Sequence, residues 1–257
     1  MTIRFEIDGA VAIITIDRPD VANAIDGPTA AALADAFRRF EADPALSVAV
    51  LTGETGRFCA GNDLKSMQSD DPGRKIRVAQ TGDAPCGVTR MLLAKPVIAA
   101  IEGFAVAGGL EVACWCDLRV AAEDAVFGVY CRRWGIPLMD GGTVRLARLI
   151  GHSRALDMIL TGRGVVGQEA LSFGLANRLV PKGQARSAAI DLAHQLAALP
   201  QAALRSDRLS SYEQWGLDLP AALENEYGHG IATVATREML GGLARFASGE
   251  WREPSLS

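Results

Sequence analysis

The sequence predicts an α/β fold with a partly parallel sheet, and three observations support this. Short apolar runs at 46–53 ("LSVAVLTG") and 95–103 ("KPVIAAIEG") have the length of strands but do not alternate, which is typical of strands buried on both faces. A segment with helical spacing of apolar residues, 29–43, stands before the first of these runs. Short strands and helices recur along the chain, and this order favours a layered α/β architecture.

The N-terminal third is predicted to contain a hairpin, a helix and a loop. Residues 5–17 ("FEIDGAVAIITID") place the turn dipeptide Asp8-Gly9 between two β-rich runs, which indicates a hairpin. Residues 68–87 are polar and poorly periodic, so we expect a loop with one or two helical turns at most. Residues 88–94 ("VTRMLLA") are predicted to be helical.

The second half is predicted to become increasingly helical. Residues 117–128 should form two short strands around Glu123-Asp124, and 176–180 one more. From 201 to 247 the chain is rich in Ala and Leu and has no predicted strand. We therefore divide it into a core, 1–198, that carries the functional site and a helical region, 199–257, that packs on the core or on a neighbouring subunit. Helices are expected between these strands at 141–151, 152–162 and 166–174.

Composition excludes several classes of function. The 257 residues carry a net charge of −4 without a basic stripe, so nucleic acid is not an expected partner. The N-terminus lacks the layout of a signal peptide and no apolar run is long enough for a membrane span, so we expect a cytoplasmic protein. Five cysteines form no CxxC pair and three histidines show no ligand spacing, so no metal site is expected.

Two turns of small residues are the strongest chemical signal. Ala60-Gly61-Asn62 and Ala107-Gly108-Gly109 each follow an apolar, strand-like run. Small residues allow the backbone to approach a ligand closely. The amide of Asn62 should point out of the first turn, and Gly108 should begin a helix whose first N–H groups have no internal partner. Two such donors converging on one carbonyl oxygen would form an oxyanion hole.

Glu111 lies one helical turn after Gly108, with its side chain leaning back toward the helix N-terminus. A carboxylate in that position could simply interact with the helix dipole. Because both small-residue turns are present, we favour a second interpretation, in which Glu111 is an acid–base group beside the oxyanion site.

Several segments resemble, in order, the signature blocks of the crotonase (enoyl-CoA hydratase/isomerase) family. The opening "VAIITIDRPDVANAID" is similar to that family's first strands and its CoA-contacting loop. The resemblance covers residues 3 to at least 185. The blocks that carry it are "RFCAGNDLK", "GFAVAGGLEVACWCDLRVA", "FGVYCRRWGIPLMDGGTVRLARLIG" and "LSFGLANRLV".

The resemblance implies a specific fold and substrate. It implies a spiral of ββα units with a C-terminal helical trimerisation region, assembled as a homotrimer or homohexamer. The substrate would be an acyl-CoA thioester, with no permanently bound cofactor and no metal. The amides of Asn62 and Gly108 would hold the thioester oxygen. Residues implied to line the CoA path are Ala60, Asn62, Asp63, Leu64, Lys65 and Gly108.

Two departures from the family pattern affect the predicted chemistry. Family hydratases hold water with two glutamates: Glu111 matches the first, but Cys131 stands where the second is expected. Asp140, in "PLMDGGT", is a candidate second acid, and it could equally be a turn or capping residue. Asp20 replaces a lysine that often lies near the CoA phosphates, and Arg18 is the cation that could compensate.

The number of carboxylates leaves three functions open. A 2-enoyl-CoA hydratase, a hydro-lyase, is favoured, with Glu111, Asn62 and Gly108 as its catalytic groups and Asp140 as a further candidate. A double-bond isomerase or an acyl-CoA hydrolase using Glu111, Asp140 or both is the first alternative, because moving a double bond needs only one carboxylate. A non-catalytic acyl-CoA-binding oligomer is the second alternative.

Overall fold

The computed structural model describes residues 2–249, and its strands and helices form the mixed α/β fold predicted from the sequence. The strands are β1 (Ile3–Asp8), β2 (Val11–Ile16), β3 (Val48–Gly53), β4 (Val97–Ile101), β5 (Phe104–Val106), β6 (Leu118–Ala122), β7 (Val126–Gly128), β8 (Gly164–Val166) and β9 (Arg178–Val180). The helices are α1 (Gly27–Ala42), α2 (Leu64–Met67), α3 (Gly108–Trp115), α4 (Gly142–Ile150), α5 (His152–Thr161), α6 (Gly167–Phe173), α7 (Ala185–Ala197), α8 (Gln201–Glu213), α9 (Leu219–Val234) and α10 (Arg237–Ala247).

The N-terminal hairpin and the first helix are confirmed. Strands β1 and β2 pair antiparallel, with Asp8 opposite Val11 across the predicted turn. Helix α1 begins after Asp26, whose carboxylate accepts a hydrogen bond from the Thr29 amide at 3.0 Å and so satisfies a free N–H of the first turn. The apolar face of α1, including Phe37, is buried in the core.

The strands form two sheets, and successive passes of the chain add strands to both. In the described residues the larger sheet has the order β1-β2-β3-β4-β6-β9, parallel from β2 onward, and the smaller has the order β5-β7-β8. Strand β4 lies in the larger sheet and β5, which follows it directly, lies in the smaller; β6 and β7 divide in the same way. Because β2 and β4 are buried along their whole length, they show no polar alternation.

Helix α3 is buried at every position and is held at both ends by long-range contacts. At its start, a Cβ on Gly109 would lie 2.3 Å from the Cys59 carbonyl oxygen, so only glycine permits this approach. At its end, the buried guanidinium of Arg119 donates to the carbonyl of Cys116 at 2.8 Å and to that of Leu175 at 2.6 Å. These contacts position the residues that α3 contributes to the candidate site.

The prediction of a helix at 88–94 is wrong. The segment forms a turn followed by irregular backbone instead, because its polar groups are bound from distant parts of the chain. The Thr89 hydroxyl donates to Asp140, and the Met91 carbonyl accepts from the Trp115 indole N–H at 2.8 Å. Pro96, two residues past the end of the segment, also disfavours helix immediately before it. The predicted loop at 68–87 is confirmed, with one short 3-10 turn at Pro72–Arg74.

The chain divides into two compact units, one ending at His194 and the other beginning at Gln195. The division between domains at 198/199 stays a prediction. The second unit contains α8, α9 and α10, which confirms that 201–247 is helical. No helix in residues 2–249 is long and apolar enough to cross a membrane.

We predict that Arg119→Met will lower the free energy of unfolding by about 3 kcal/mol, because the carbonyl groups that the guanidinium binds would be left buried without a partner. Urea unfolding followed by circular dichroism measures this change. Arg178→Met, at an exposed position in β9, is the matched control and should change stability by less than about 0.5 kcal/mol. Equal stability of the two variants would contradict the anchoring role of Arg119.

Candidate active site

Three neighbouring strand ends create the site. Cys59 forms a parallel bridge with Ala105 of β5, and Cys59 and the strand exchange hydrogen bonds of 3.0 and 3.1 Å. Strand β5 in turn pairs parallel with β7, and the Ala107 amide donates to the Gly128 carbonyl at 2.9 Å. Because neighbouring parallel strands end at the same edge of a sheet, the segments after Cys59, after β5 and after β7 enter one region.

The first small-residue turn directs the Asn62 amide away from the loop that supports it. Ile25 donates its amide to the Gly61 carbonyl, and the Asp63 amide donates to the Ile25 carbonyl, both at 2.8 Å. Asn62 lies between these two bonds, so its own N–H points to the opposite side. No acceptor for this N–H is found among residues 2–249.

The second turn brings the Gly108 amide alongside. Ala107 has φ 52° and ψ −125°, a conformation rare for a residue with a side chain, and α3 begins directly after it. A Cβ on Gly61 would lie 2.8 Å from the Gly108 nitrogen, and a Cβ on Gly108 would lie 3.5 Å from the Asn62 nitrogen. The two amides that the sequence singles out are therefore neighbours, and the Gly108 N–H also has no acceptor in the described part of the chain.

Both amides border a cavity of about 80 Å³. Five of the predicted site residues line it: Ala60, Asn62, Leu64, Gly108 and Glu111. The lining does not include Asp63, Lys65 or Asp140. The remaining wall is largely apolar and comes from Ala107, Tyr130, Cys131, Trp134, Ile136 and Pro137.

Among the described residues that line the cavity, Glu111 is the one that carries a carboxylate. This residue is only 2% exposed. Its Oε1 accepts hydrogen bonds from the amides of Asp140 and Gly142, each at 2.8 Å. Gly142 is required for this contact, since a Cβ there would lie 2.9 Å from Oε1. The carboxylate is thus held by amides of the turn before α4, while Glu111 itself lies in the first turn of α3, where it also faces the helix dipole.

Burial raises the pKa of Glu111 to about 7, and the negative charge of Asp140 adds to the shift, although the backbone amides that bind the carboxylate oppose it. A group with this pKa exists in both protonation states near neutral pH. It can therefore accept a proton and return it during one reaction cycle.

Asp140 lies behind the cavity rather than in its wall. Its Oδ1 accepts hydrogen bonds from the Cys86 amide at 2.9 Å and from the Thr89 hydroxyl at 2.6 Å, and its own amide binds Glu111. The side chain does not cap α4. The structure brings Asp140 next to Glu111 through the backbone, and a direct catalytic role for its carboxylate stays a prediction.

The charged groups near the first turn are used within the fold. The carboxylate of Asp63 caps α2 and forms an ion pair of 3.1 Å with Arg18, which also binds Asp26 at 2.9 Å. Arg18 is therefore engaged by two carboxylates, and the suggestion that it compensates for Asp20 gains no support from this arrangement. Lys65 is exposed.

Sequence reasoning missed Cys86 completely. This buried thiol donates to the Asn62 side-chain oxygen at 3.2 Å and lies beneath Gly108, where a Cβ would come within 2.9 Å of the sulfur. Burial raises its pKa well above the usual range, so it remains an S–H donor. No local pattern around Cys86 indicates this role, because its partners lie 24 and 54 positions away.

Cys131 lines the cavity and is buried. Burial raises the pKa of its thiol, so it does not supply a negative charge near neutral pH. Within residues 2–249, no group of three or more His, Cys, Asp or Glu side chains is placed to hold a metal ion.

Comparisons with known proteins identify the family of the chain. The profile of the enoyl-CoA hydratase/isomerase family matches residues 6–255. An enoyl-CoA hydratase of Mycobacterium tuberculosis is 39% identical over 78% of this chain and 77% of its own length, and the (E)-benzylidenesuccinyl-CoA hydratase of Thauera aromatica is 32% identical over 100% and 99%. A crystal structure of enoyl-CoA hydratase from Mycobacterium tuberculosis superposes with a TM-score of 0.90 at 34% identity, covering 96% of both chains.

The pKa of Glu111 predicts a pH dependence of stability. A carboxyl whose pKa is raised on folding stabilises the protein fully below the unfolded pKa, and this contribution is lost as the pH rises through the folded pKa. As the pH rises from 4.5 to above 7, the free energy of unfolding of the wild-type protein should fall by about 3 kcal/mol relative to that of the Glu111→Gln protein. Urea unfolding of both proteins across this range measures it, and parallel curves would show that Glu111 titrates normally.

Proposed function

Because the chain belongs to the enoyl-CoA hydratase/isomerase family, we propose that it adds water to the double bond of a 2-enoyl-CoA thioester, using Glu111 and the amides of Asn62 and Gly108. The chain has the crotonase fold and is an enzyme of the hydro-lyase type found among its relatives. Family members use CoA thioesters as substrates without a permanent cofactor. The observation that carries the proposal is the pair of unpaired amides beside Glu111 in one cavity.

The two amides stabilise the negative charge that develops on the thioester oxygen. When a nucleophile adds at the β-carbon, the electrons of the double bond move into the thioester and form an enolate. Donors that are fixed in place before the reaction stabilise this oxygen without reorganising, and each is typically worth about 3 to 4 kcal/mol. Asn62 and Gly108 are fixed by the Ile25 bridge and by the start of α3 respectively.

Glu111 moves the proton. In its ionised form it accepts a proton from water while the water oxygen bonds to the β-carbon. The same carboxyl then returns that proton to the α-carbon as the enolate collapses, so that hydroxyl and hydrogen are added across the former double bond. A pKa of about 7 suits both steps, because neither the acid nor the base form is rare at neutral pH.

Cys131 motivates one second candidate, a double-bond isomerase. In the lining of the cavity, a neutral thiol stands where family hydratases have their second glutamate. Isomerisation needs one carboxylate that removes a proton and returns it at another carbon, and Glu111 meets that need alone. Mass spectrometry of the products separates the two reactions, since hydration adds one water and isomerisation leaves the mass unchanged.

The CoA path, the assembly and the location belong to the same proposal. The exposed segment that includes Leu64 and Lys65 follows the oxyanion turn directly, which supports its contact with the pantetheine chain.

A homotrimer or homohexamer is supported by large apolar side chains exposed on the helices after Gln195, among them Leu219, Leu223, Tyr227, Ile231, Leu240 and Phe246. The cysteines at 59, 86, 114, 116 and 131 are free thiols, in keeping with a cytoplasmic location.

We expect Glu111→Gln to reduce kcat on a short 2-enoyl-CoA by about a hundredfold or more, because the amide cannot take a proton from water. Loss of the enone absorbance measures the rate. Glu123→Gln, at an exposed position, is the control and should keep wild-type activity. If purified wild-type protein binds enoyl-CoA esters in calorimetry but turns over none of a panel, the chain is a binding protein and the proposal fails.

The oxyanion site is tested with glycine substitutions. Gly61→Ala should reduce kcat by about a hundredfold, because its methyl group would lie 2.8 Å from the Gly108 nitrogen and displace one donor. Gly56→Ala is a matched control: Gly56 also has positive φ, at 66°, but has nothing within 4 Å of an added Cβ. Equal loss in both variants would show that backbone strain, and not the oxyanion site, causes the effect.

A further inference from the structure

A series of hydrogen bonds behind the cavity connects Asn62, the oxyanion residue, to Glu111, the acid–base residue. The Cys86 thiol donates to Asn62 Oδ1 at 3.2 Å, and the Cys86 amide donates to Asp140 Oδ1 at 2.9 Å. The Asp140 amide then donates to Glu111 Oε1 at 2.8 Å. Neither Cys86 nor Asp140 lines the cavity, yet between them they contact the oxyanion residue and the acid–base residue.

Within this series of hydrogen bonds, the side chain of Asp140 connects the turn before α4 to the loop at 86–89. It is 3% exposed, and its Oδ1 binds the loop at 86–89 through two donors, the Cys86 amide and the Thr89 hydroxyl. That loop has no helix or strand of its own to hold it. Arg145 strengthens the same junction, since its guanidinium donates to the carbonyls of Asp140 and Thr89 at 3.0 and 2.6 Å.

The other carboxylate oxygen, Asp140 Oδ2, is buried and has no hydrogen-bond partner among the described residues. A buried oxygen without a partner destabilises a fold by about 1 to 3 kcal/mol. An ionised aspartate nevertheless binds the Cys86 amide and the Thr89 hydroxyl more strongly than a neutral amide or hydroxyl oxygen would, because hydrogen bonds to a charged acceptor are about twice as strong. A neutral replacement would therefore hold the loop at 86–89 less firmly against the turn that carries the Asp140 amide.

On the premise of the proposed function, we propose that Asp140 is a positioning residue: it fixes Asn62, through Cys86, and Glu111, through its own backbone amide, in the relative geometry that the reaction requires. The residue does not touch the substrate. It acts through two residues that do.

The charge of Asp140 has a second effect on Glu111. Burial is the main cause of the raised pKa of Glu111, and the negative charge of Asp140 raises it further. Replacing Asp140 by a neutral residue should therefore lower the pKa of Glu111. The thiols of Cys86, Cys114 and Cys131 also interact electrostatically with Glu111, and the guanidinium of Arg145 binds the carbonyl of the neighbouring Asp140.

The test is Asp140→Asn, which keeps the size and one acceptor but removes the charge. We expect kcat to fall by about tenfold to a hundredfold with KM changed by less than about threefold, since a misplaced acid–base group affects the chemical step more than binding. The acid limb of the pH profile of kcat/KM should move to lower pH. Asp117→Asn is the matched control, because this carboxylate also accepts from a backbone amide, that of Val97 at 2.7 Å, away from the cavity. An unchanged kcat and acid limb in folded Asp140→Asn would overturn the proposal.

Thr89→Val keeps the inference testable if Asp140→Asn does not fold. It removes one donor to Asp140 with little change in volume, and kcat should fall by about threefold to tenfold while the protein stays folded. Wild-type kcat in this variant would also overturn the proposal.

A readout that does not depend on turnover separates this inference from the proposed function. The carboxyl of Glu111 is titrated by difference infrared spectroscopy in wild type and in Asp140→Asn, or in Thr89→Val, with the corresponding Glu111→Gln proteins as references. A lower pKa of Glu111 in Asp140→Asn supports the coupling even if wild-type protein hydrates no enoyl-CoA, a result that would count against the proposed function alone. An unchanged pKa in Asp140→Asn overturns the electrostatic part of the proposal.

Discussion

The parallel bridge between Cys59 and Ala105 is the constraint on which the candidate site depends. It places two turns, some forty-five positions apart in the chain, at the same edge of one sheet. Each turn alone presents only an unpaired amide in contact with water. Side by side, with Gly61 allowing the backbones to approach, the amides of Asn62 and Gly108 have the proximity that the proposed oxyanion site requires. The next strand end adds the wall formed by Tyr130 and Cys131.

The surroundings of the Glu111 carboxyl have opposing effects on its charge. Two backbone amides stabilise the charged form of Glu111, while burial and the nearby Asp140 favour the neutral form. The balance leaves the pKa near neutrality, where a surface glutamate would be fully ionised. The same burial that raises the pKa of Glu111 is thus a source of instability, as is common at functional sites.

The described wall of the cavity contains a single carboxylate, that of Glu111, and this limits the proton transfers that can be proposed for the site. With Cys131 neutral, the proposed mechanism uses one group, Glu111, to remove and return the same proton. Asp140 contributes from behind, where it can set geometry and charge without contacting the reacting atoms. The proposal thus assigns different tasks to the two carboxylates: Glu111 acts in the cavity and Asp140 supports it from behind.

The sequence by itself determined the local features: the hairpin around Asp8-Gly9, the buried strands, the two small-residue turns and the place of Glu111 in the first turn of a helix. These depend on neighbours a few positions apart, so composition and spacing are sufficient to predict them. Only the tertiary structure decided that 88–94 is not helical, that Arg18 is engaged by Asp26 and Asp63, and that Cys86 and Asp140 lie behind the site. Those outcomes depend on hydrogen bonds between residues tens of positions apart, and such partners are chosen by the packing of sheets and helices rather than by any pattern along the chain.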